Sequence, residues 1–184
     1  MTPLLRIEGY VILSANGMLA DADHVMPPEL KFDGDQQFFN EALDNASLVV
    51  HGRNSGEEQP NSPKRMRIVL TRSVKALAPD PSNPKATLWN PAGASFDAAC
   101  ERAGVTSGVA AIIGGPTVFG LFLDRFDTFW LSFAPRVRMP GGEPGLPGVP
   151  ARTPQAILAA HGLHAAETRV LDAANDVSVT AWRR

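Results

Sequence analysis

The sequence predicts an α/β fold built on a mostly parallel sheet that ends in a C-terminal antiparallel hairpin. Three observations lead there. Short runs rich in β-branched residues, such as "SLVVHG" and "RMRIVL", alternate with segments of helical spacing. The first run, "LLRIEGYVILSANG", alternates and then becomes continuously apolar, as in a central strand buried on both faces. Residues 163–184 behave differently, alternating apolar and polar residues on either side of Asn175-Asp176.

"LLRIEGYVILSANG" reads as a central strand closed by the turn dipeptide Asn16-Gly17. "DGDQQFFNEALDNA" follows as an amphipathic helix, with Phe38, Phe39 and Leu43 on one face and acidic residues near its start, where the helix dipole favours them. "SLVVHGRNS" gives a strand ending at Gly52, and "RMRIVLTRS" gives another after a loop rich in Pro and Asn. "KATLWNP" is a further strand. "SFDAACERAG" is a helix capped by Ser95 and stopped at Gly104, with Cys100 on its buried side. "GVAAIIGGPTVFGLFLDRFDTFWLSFAP" holds a strand, a break at Gly114-Gly115-Pro116, a helix and an alternating strand. A Pro- and Gly-rich loop spans 135–154, Pro154 opens the short helix "TPQAILAAHG", and Val177, Val179 and Ala181 form the buried face of the final hairpin.

The 184 residues suit one domain, 1–184, with 44% hydrophobic and 20% charged residues. A formal charge of −2 argues against nucleic acid, which selects a basic face. The lone Cys100 excludes an intrachain disulfide. With no export signal and no run of eighteen apolar residues, a cytoplasmic setting away from membranes is expected. His24, His51, His161 and His164 lack ligand spacing, so no metal is expected, and His161 with His164 reads as a helix end. There is no G-x-S-x-G elbow and no G-x-G-x-x-G fingerprint.

In an open parallel sheet, ligands gather at the carboxyl ends of the strands, and three polar clusters stand there. Gly114 and Gly115 either let a phosphate approach bare backbone or simply make a tight strand-to-helix turn. Gly52, Arg53, Asn54 and Ser55 read as a second anion turn or as a solvated one. Thr71, Arg72 and Ser73 offer two hydroxyls and a guanidinium to one anion, a set that suits a ribose 2′-phosphate.

The order of these clusters, with "SANGMLA" and "DQQFFNEAL" before them and the hairpin after, resembles the dihydrofolate-reductase-like fold, a three-layer α/β architecture, over nearly the whole chain. Within that superfamily "GGPTVFGLFLDRFDTFWLSFAPRVRMPGGEPGLPG" is most similar to the reductase domain of bacterial riboflavin biosynthesis. Asn16 and Met18 replace the Asp and Arg of that family's Asp-Gly-Arg-Ile-Ala turn, and Ile113 stands where an acid often precedes Gly-Gly. The resemblance implies NADPH as cofactor. Gly114, Gly115, Pro116 and Thr117 would border its pyrophosphate, with Val118 opening the helix behind. Gly52, Arg53, Asn54 and Ser55 match a second pyrophosphate turn, Thr71, Arg72 and Ser73 the 2′-phosphate position, and Asn16, Gly17 and Met18 the nicotinamide side.

The implied reaction is hydride transfer from NADPH to a C=N or C=O carbon of a small heterocycle. Reduction of 5-amino-6-(5-phosphoribosylamino)uracil is the first named reaction, with dihydrofolate as the alternative. The fused deaminase that accompanies many riboflavin reductases has no H-x-E or P-C-x-x-C signature here. Between Ala20 and Pro28 the tryptophan usual in dihydrofolate reductases is missing. A nucleotide-binding protein without turnover is the third reading. Asp35, with Asp33 as its rival, falls at the family's substrate acid; its other reading is a helix-start acid favoured by the dipole. Related reductases are often homodimers, and Trp130 lies opposite Phe129, Leu131 and Phe133, facing either a second subunit or a helix.

Overall fold

The chain forms, in order, β1 (Leu5–Ser14), β2 (Met18–Ala20), α1 (Asp33–Asn45), β3 (Leu48–Gly52), β4 (Arg67–Leu70), β5 (Leu77–Asp80), β6 (Asn83–Trp89), α2 (Phe96–Ala103), β7 (Gly108–Ile112), α3 (Pro116–Phe122), β8 (Thr128–Ala134), β9 (Glu143–Pro144), α4 (Pro154–Ala160), β10 (His164–Asp172) and β11 (Val177–Arg183). The structure is a computed structural model describing residues 4–184. Nine strands make one sheet in the order β10-β11-β8-β1-β7-β3-β4-β6-β5, and β2 pairs with β9 separately. The strands from β8 to β6 are mutually parallel, β11 and β5 run antiparallel to them at the two ends, and β10 pairs antiparallel with β11. Among the described residues no helix is long and apolar enough to cross a membrane.

Successive residues of a strand face opposite sides, and the buried clusters follow that alternation. Leu48 and Val50 of β3, with Ala110 and Ile112 of β7, join the larger cluster. Val49 and Ala111, between them, join a smaller one with Tyr10 and Leu43 under α1. The larger side is dominated by Phe119, Phe122, Phe126 and Phe129, all fully buried and packed edge-on, as in the Phe126–Phe129 pair at 5.0 Å and 81°.

Local chemistry sets the element ends. Ser95 Oγ accepts the Ala98 N–H at 3.1 Å, Gly104 stops α2 in the left-handed region at φ 74°, and Thr153 caps α4 just before Pro154. His161 does end α4, but its ring meets Asp124 at 2.6 Å, and His164 belongs to β10. β5 is an unanticipated strand, because its segment "LAPD" carries a proline. Pro79 is tolerated at the outer edge, and Asp80 Oδ1 closes the turn into β6 by accepting from Ser82 N and Oγ at 2.8 and 2.7 Å. The short β2–β9 pairing was also not evident beforehand, since it joins two loops far apart in sequence.

Candidate functional site

Parallel strands end together, so β3, β4 and β7 bring Gly52, Leu70 and Ile112 to one rim, and the three polar clusters follow them. Two of the clusters touch. Gly52 N donates to the Gly114 carbonyl at 2.8 Å, and Ser55 N donates to the Gly52 carbonyl at 3.2 Å. A Cβ on Gly115 would lie 3.2 Å from Ser55 Oγ. Gly114 has φ 118°, which a side chain disfavours, so the tight-turn reading of the pair holds whatever binds there. The Gly114-Gly115 peptide is cis. Arg53 and Arg72 are exposed and in no ion pair among the described residues. Thr71 is buried, and its Oγ1 accepts the Ser73 N–H at 3.1 Å and lies 2.9 Å from Ser73 Oγ, so these hydroxyls are aligned.

Beside the glycine turns opens a cleft of about 250 Å³. One wall is aromatic: Tyr10 of β1 sits in register with Trp130 of β8, the rings 6.4 Å apart and nearly parallel, and Phe38 of α1 tilts over both at 6.1 and 5.7 Å. Phe39, Ile113, Leu19 and Met26 complete the apolar lining. Phe38 and Phe39 are only half-buried for that reason, whereas Leu43 of the same helix is fully inside. Trp130 Nε1 donates to Glu8 Oε1 at 2.9 Å, fixing the indole. Trp130 is thus covered by α1 and Tyr10, and its face does not argue for a second subunit.

Asp35 enters this cleft from the first turn of α1 and is 5% exposed, while Asp33 of the same turn is exposed. The two readings of the helix-start acid therefore separate: Asp33 faces solvent, and Asp35 faces the lining. Burial raises the Asp35 carboxyl to about 6, with the Ser132 hydroxyl opposing part of that rise. No cation pairs with it among the described residues.

Behind the 53–62 loop lies a buried ionic network. Arg67 Nη2 donates to Glu57 Oε1 at 2.7 Å, Arg65 Nη1 lies 2.9 Å from Glu57 Oε2, and Arg67 Nη1 is 2.9 Å from His51 Nε2. An arginine only donates, so His51 Nε2 accepts, and its Nδ1–H donates to the Gly52 carbonyl at 2.7 Å. Burial and the Arg67 charge hold His51 below its ordinary value, which keeps it in this neutral form.

Of the residues singled out in the sequence, Asp35, Asn54, Ser55 and Gly115 line the cleft. Arg53 borders a shallower groove with His51, Arg67 and Lys85. Gly52, Gly114, Pro116, Thr117, Val118, Thr71, Arg72 and Ser73 occupy the rim beyond the lining, with Val118 buried in the core at the start of α3. Asn16, Gly17 and Met18 line neither hollow. Asn16 is engaged with the loop after β8, Nδ2 donating to Met139 O at 3.0 Å and Oδ1 accepting Met139 N at 3.1 Å, and Met18 is a core residue. Leu19 and Ala20 take the place beside the cleft. Tyr10, Gln36, Ser132, His24 and Glu143 were not singled out as site residues. Only the two-residue spacing of Trp130 and Ser132, opposite the core face of β8, signals any of them.

No family model and no curated protein matches the chain. Solved structures do. A dihydrofolate reductase from Enterococcus faecalis, complexed with NADP(H) and RAB-propyl, superposes with a TM-score of 0.66 at 18% identity, over 97% of this chain and 96% of that one. A Shewanella sp. PV-4 protein ascribed to riboflavin biosynthesis gives 0.66 at 18%, over 97% and 98%. A Thermotoga maritima diaminohydroxyphosphoribosylaminopyrimidine deaminase/5-amino-6-(5-phosphoribosylamino)uracil reductase gives 0.64 at 14%, over 98% of this chain and 56% of that one. The chain has the dihydrofolate-reductase-like fold.

Proposed function

We propose that this chain is an NADPH-dependent reductase that delivers a hydride to a C=N or C=O carbon of a small planar heterocycle. The observation that carries the reading is Asp35: a buried, unpaired carboxyl facing an aromatic cleft that opens beside two touching glycine turns. Such a carboxyl destabilises the fold unless something else requires it, and proton handling at a reacting ring is that requirement.

The rim fits a dinucleotide phosphate. At Gly115 a Cβ would crowd Ser55 Oγ, so bare backbone faces the space between the turns. Gly52–Ser55 and Gly114–Thr117 would hold the pyrophosphate, Arg53 contributing charge from the neighbouring groove. Thr71, Arg72 and Ser73 would receive the 2′-phosphate, Arg72 supplying a guanidinium in no ion pair among the described residues. The bound cofactor supplies the hydride. The protein stacks the substrate ring against Tyr10, Phe38 and Trp130, excludes water with Ile113, Leu19 and Met26, and holds the Asp35 carboxyl, with Ser132, at the ring edge to share or deliver a proton.

Following the reduced-nicotinamide absorbance with pterins, pyrimidines and aldehydes tests this. Oxidation of NADPH by one heterocyclic class supports the reading. Tight NADPH binding without oxidation by any compound would instead leave a nucleotide-binding protein.

A further inference from the structure

The charges around the cleft say something about its substrate that the fold does not. Besides the Tyr10 phenol its ionisable lining groups are Asp35, Glu143 and His24, and no lysine or arginine is among the described lining residues. Glu143 stands at the mouth on β9, three-quarters buried, with His24 Nδ1 3.1 Å from its Oε2. A third carboxylate, Glu8, accepts from the Trp130 indole at 2.9 Å, with Arg6 at 3.7 Å and the Arg183 charge also acting on it. Acids thus approach the cleft from helix α1, from the β9 loop and from behind the aromatic wall.

Two guanidiniums rest against the aromatic wall of the cleft. Arg169 lies 4.9 Å from the Phe38 ring centre and Arg183 lies 5.4 Å from that of Trp130, where Arg183 also pairs with Glu167. Neither arginine lines the cleft, whereas Asp35 and Glu143 do, so a phosphate or carboxylate on a bound ring would share the cleft with like charge, and like charges brought together in a partly desolvated site repel strongly.

From this arrangement we infer that the substrate is a planar nitrogen heterocycle with no anionic substituent, neutral or cationic and rich in N–H donors. The inference rests on the reductase reading for its identification of the cleft as the substrate side. It favours an unphosphorylated ring over a phosphoribosylated one, and a ring without a carboxylate tail over one that carries it. Glu143 then acts as a specificity residue at the mouth, and Asp35 as the acceptor of the ring's N–H edge.

The test is calorimetric titration of the NADPH-loaded protein with two matched pairs: 2-aminopyrimidine against its 5-carboxylate, and cytidine against cytidine 5′-monophosphate. The uncharged member of each pair is expected to bind at least about tenfold more tightly, and Glu143→Lys is expected to narrow or invert that ratio. The inference is overturned if the anionic members bind equally or better, if no member of either pair binds, or if Glu143→Lys leaves the ratio unchanged. Should the anionic members win and lose their advantage in Arg169→Ala, Arg169 is the missing counter-ion. NADPH affinity is read in the same samples from nicotinamide fluorescence, and the titrations are repeated without it. A charge preference that persists where NADPH does not bind sinks the reductase reading alone; NADPH binding with the opposite preference sinks this inference alone.

Discussion

Asp35 illustrates how a buried carboxyl taxes its own fold. Its carboxyl sits near 6 in the folded protein against an ordinary value of 3.8, so the folded state binds its proton more tightly than the unfolded chain does. The sign follows: buried charge costs stability above about pH 6, and the cost disappears as pH falls toward 4. The upper limit is about 3 kcal/mol for a shift of roughly two units. Asp35→Asn keeps the shape and removes the charge, so it is expected to raise the melting temperature at pH 8 by roughly 5 °C and to have no effect at pH 4. In turnover the same variant is expected to lose roughly 10²–10⁴-fold while its NADPH affinity stays unchanged. An equal loss in cofactor binding would make Asp35 a structural residue. Gly114 is the other residue that tolerates little: at φ 118°, Gly114→Ala is expected to cost about 1–3 kcal/mol in a denaturant titration and to weaken NADPH binding with it.

At the scale of elements, the glycine turn after β3 is held from behind by the Glu57–Arg67–His51 network. Arg67→Met leaves the buried Glu57 with Arg65 alone and releases His51, and a loss of about 1–3 kcal/mol is expected from the midpoint of urea unfolding. A loss under about 1 kcal/mol would mean that the loop is anchored elsewhere. Elements were legible in the sequence where one residue sets an end: Ser95 and Gly104 bound α2, Pro154 opens α4, and Gly52 and Gly114 mark where β3 and β7 give way to turns. They were not legible where pairing alone makes them. β5 exists because β6 offers it an edge, and the Tyr10–Trp130 stack exists because β1 and β8, distant in sequence, are neighbours in the sheet. The Arg67 network has no local signal in "RMRIVL", because its partners Glu57 and Ser62 come from the 53–62 loop, which folds over the strand and buries Arg67.

Over the whole molecule, the order of strands and polar clusters in the sequence puts the glycine turns at the carboxyl rim of a parallel sheet, where they lie. The aromatic cleft follows other rules, since α1, β8 and the β9 loop converge there only after folding. For the expected homodimer, β10 offers an edge: it ends the sheet as an exposed strand, with Val170 65% exposed. Light scattering at twice 19.7 kDa, returning to the monomer mass in Val170→Lys, is the result that expectation requires. A monomer mass for the unaltered chain removes it.

The central claim is that the rim binds NADPH and reads its 2′-phosphate, and titration with NADPH and NADH, followed by nicotinamide fluorescence, tests it most directly. NADPH is expected to bind at least about tenfold more tightly than NADH, and Arg72→Ala to erase the difference by weakening NADPH alone. Equal affinity for the two nucleotides, or a preference untouched by Arg72→Ala, would contradict it.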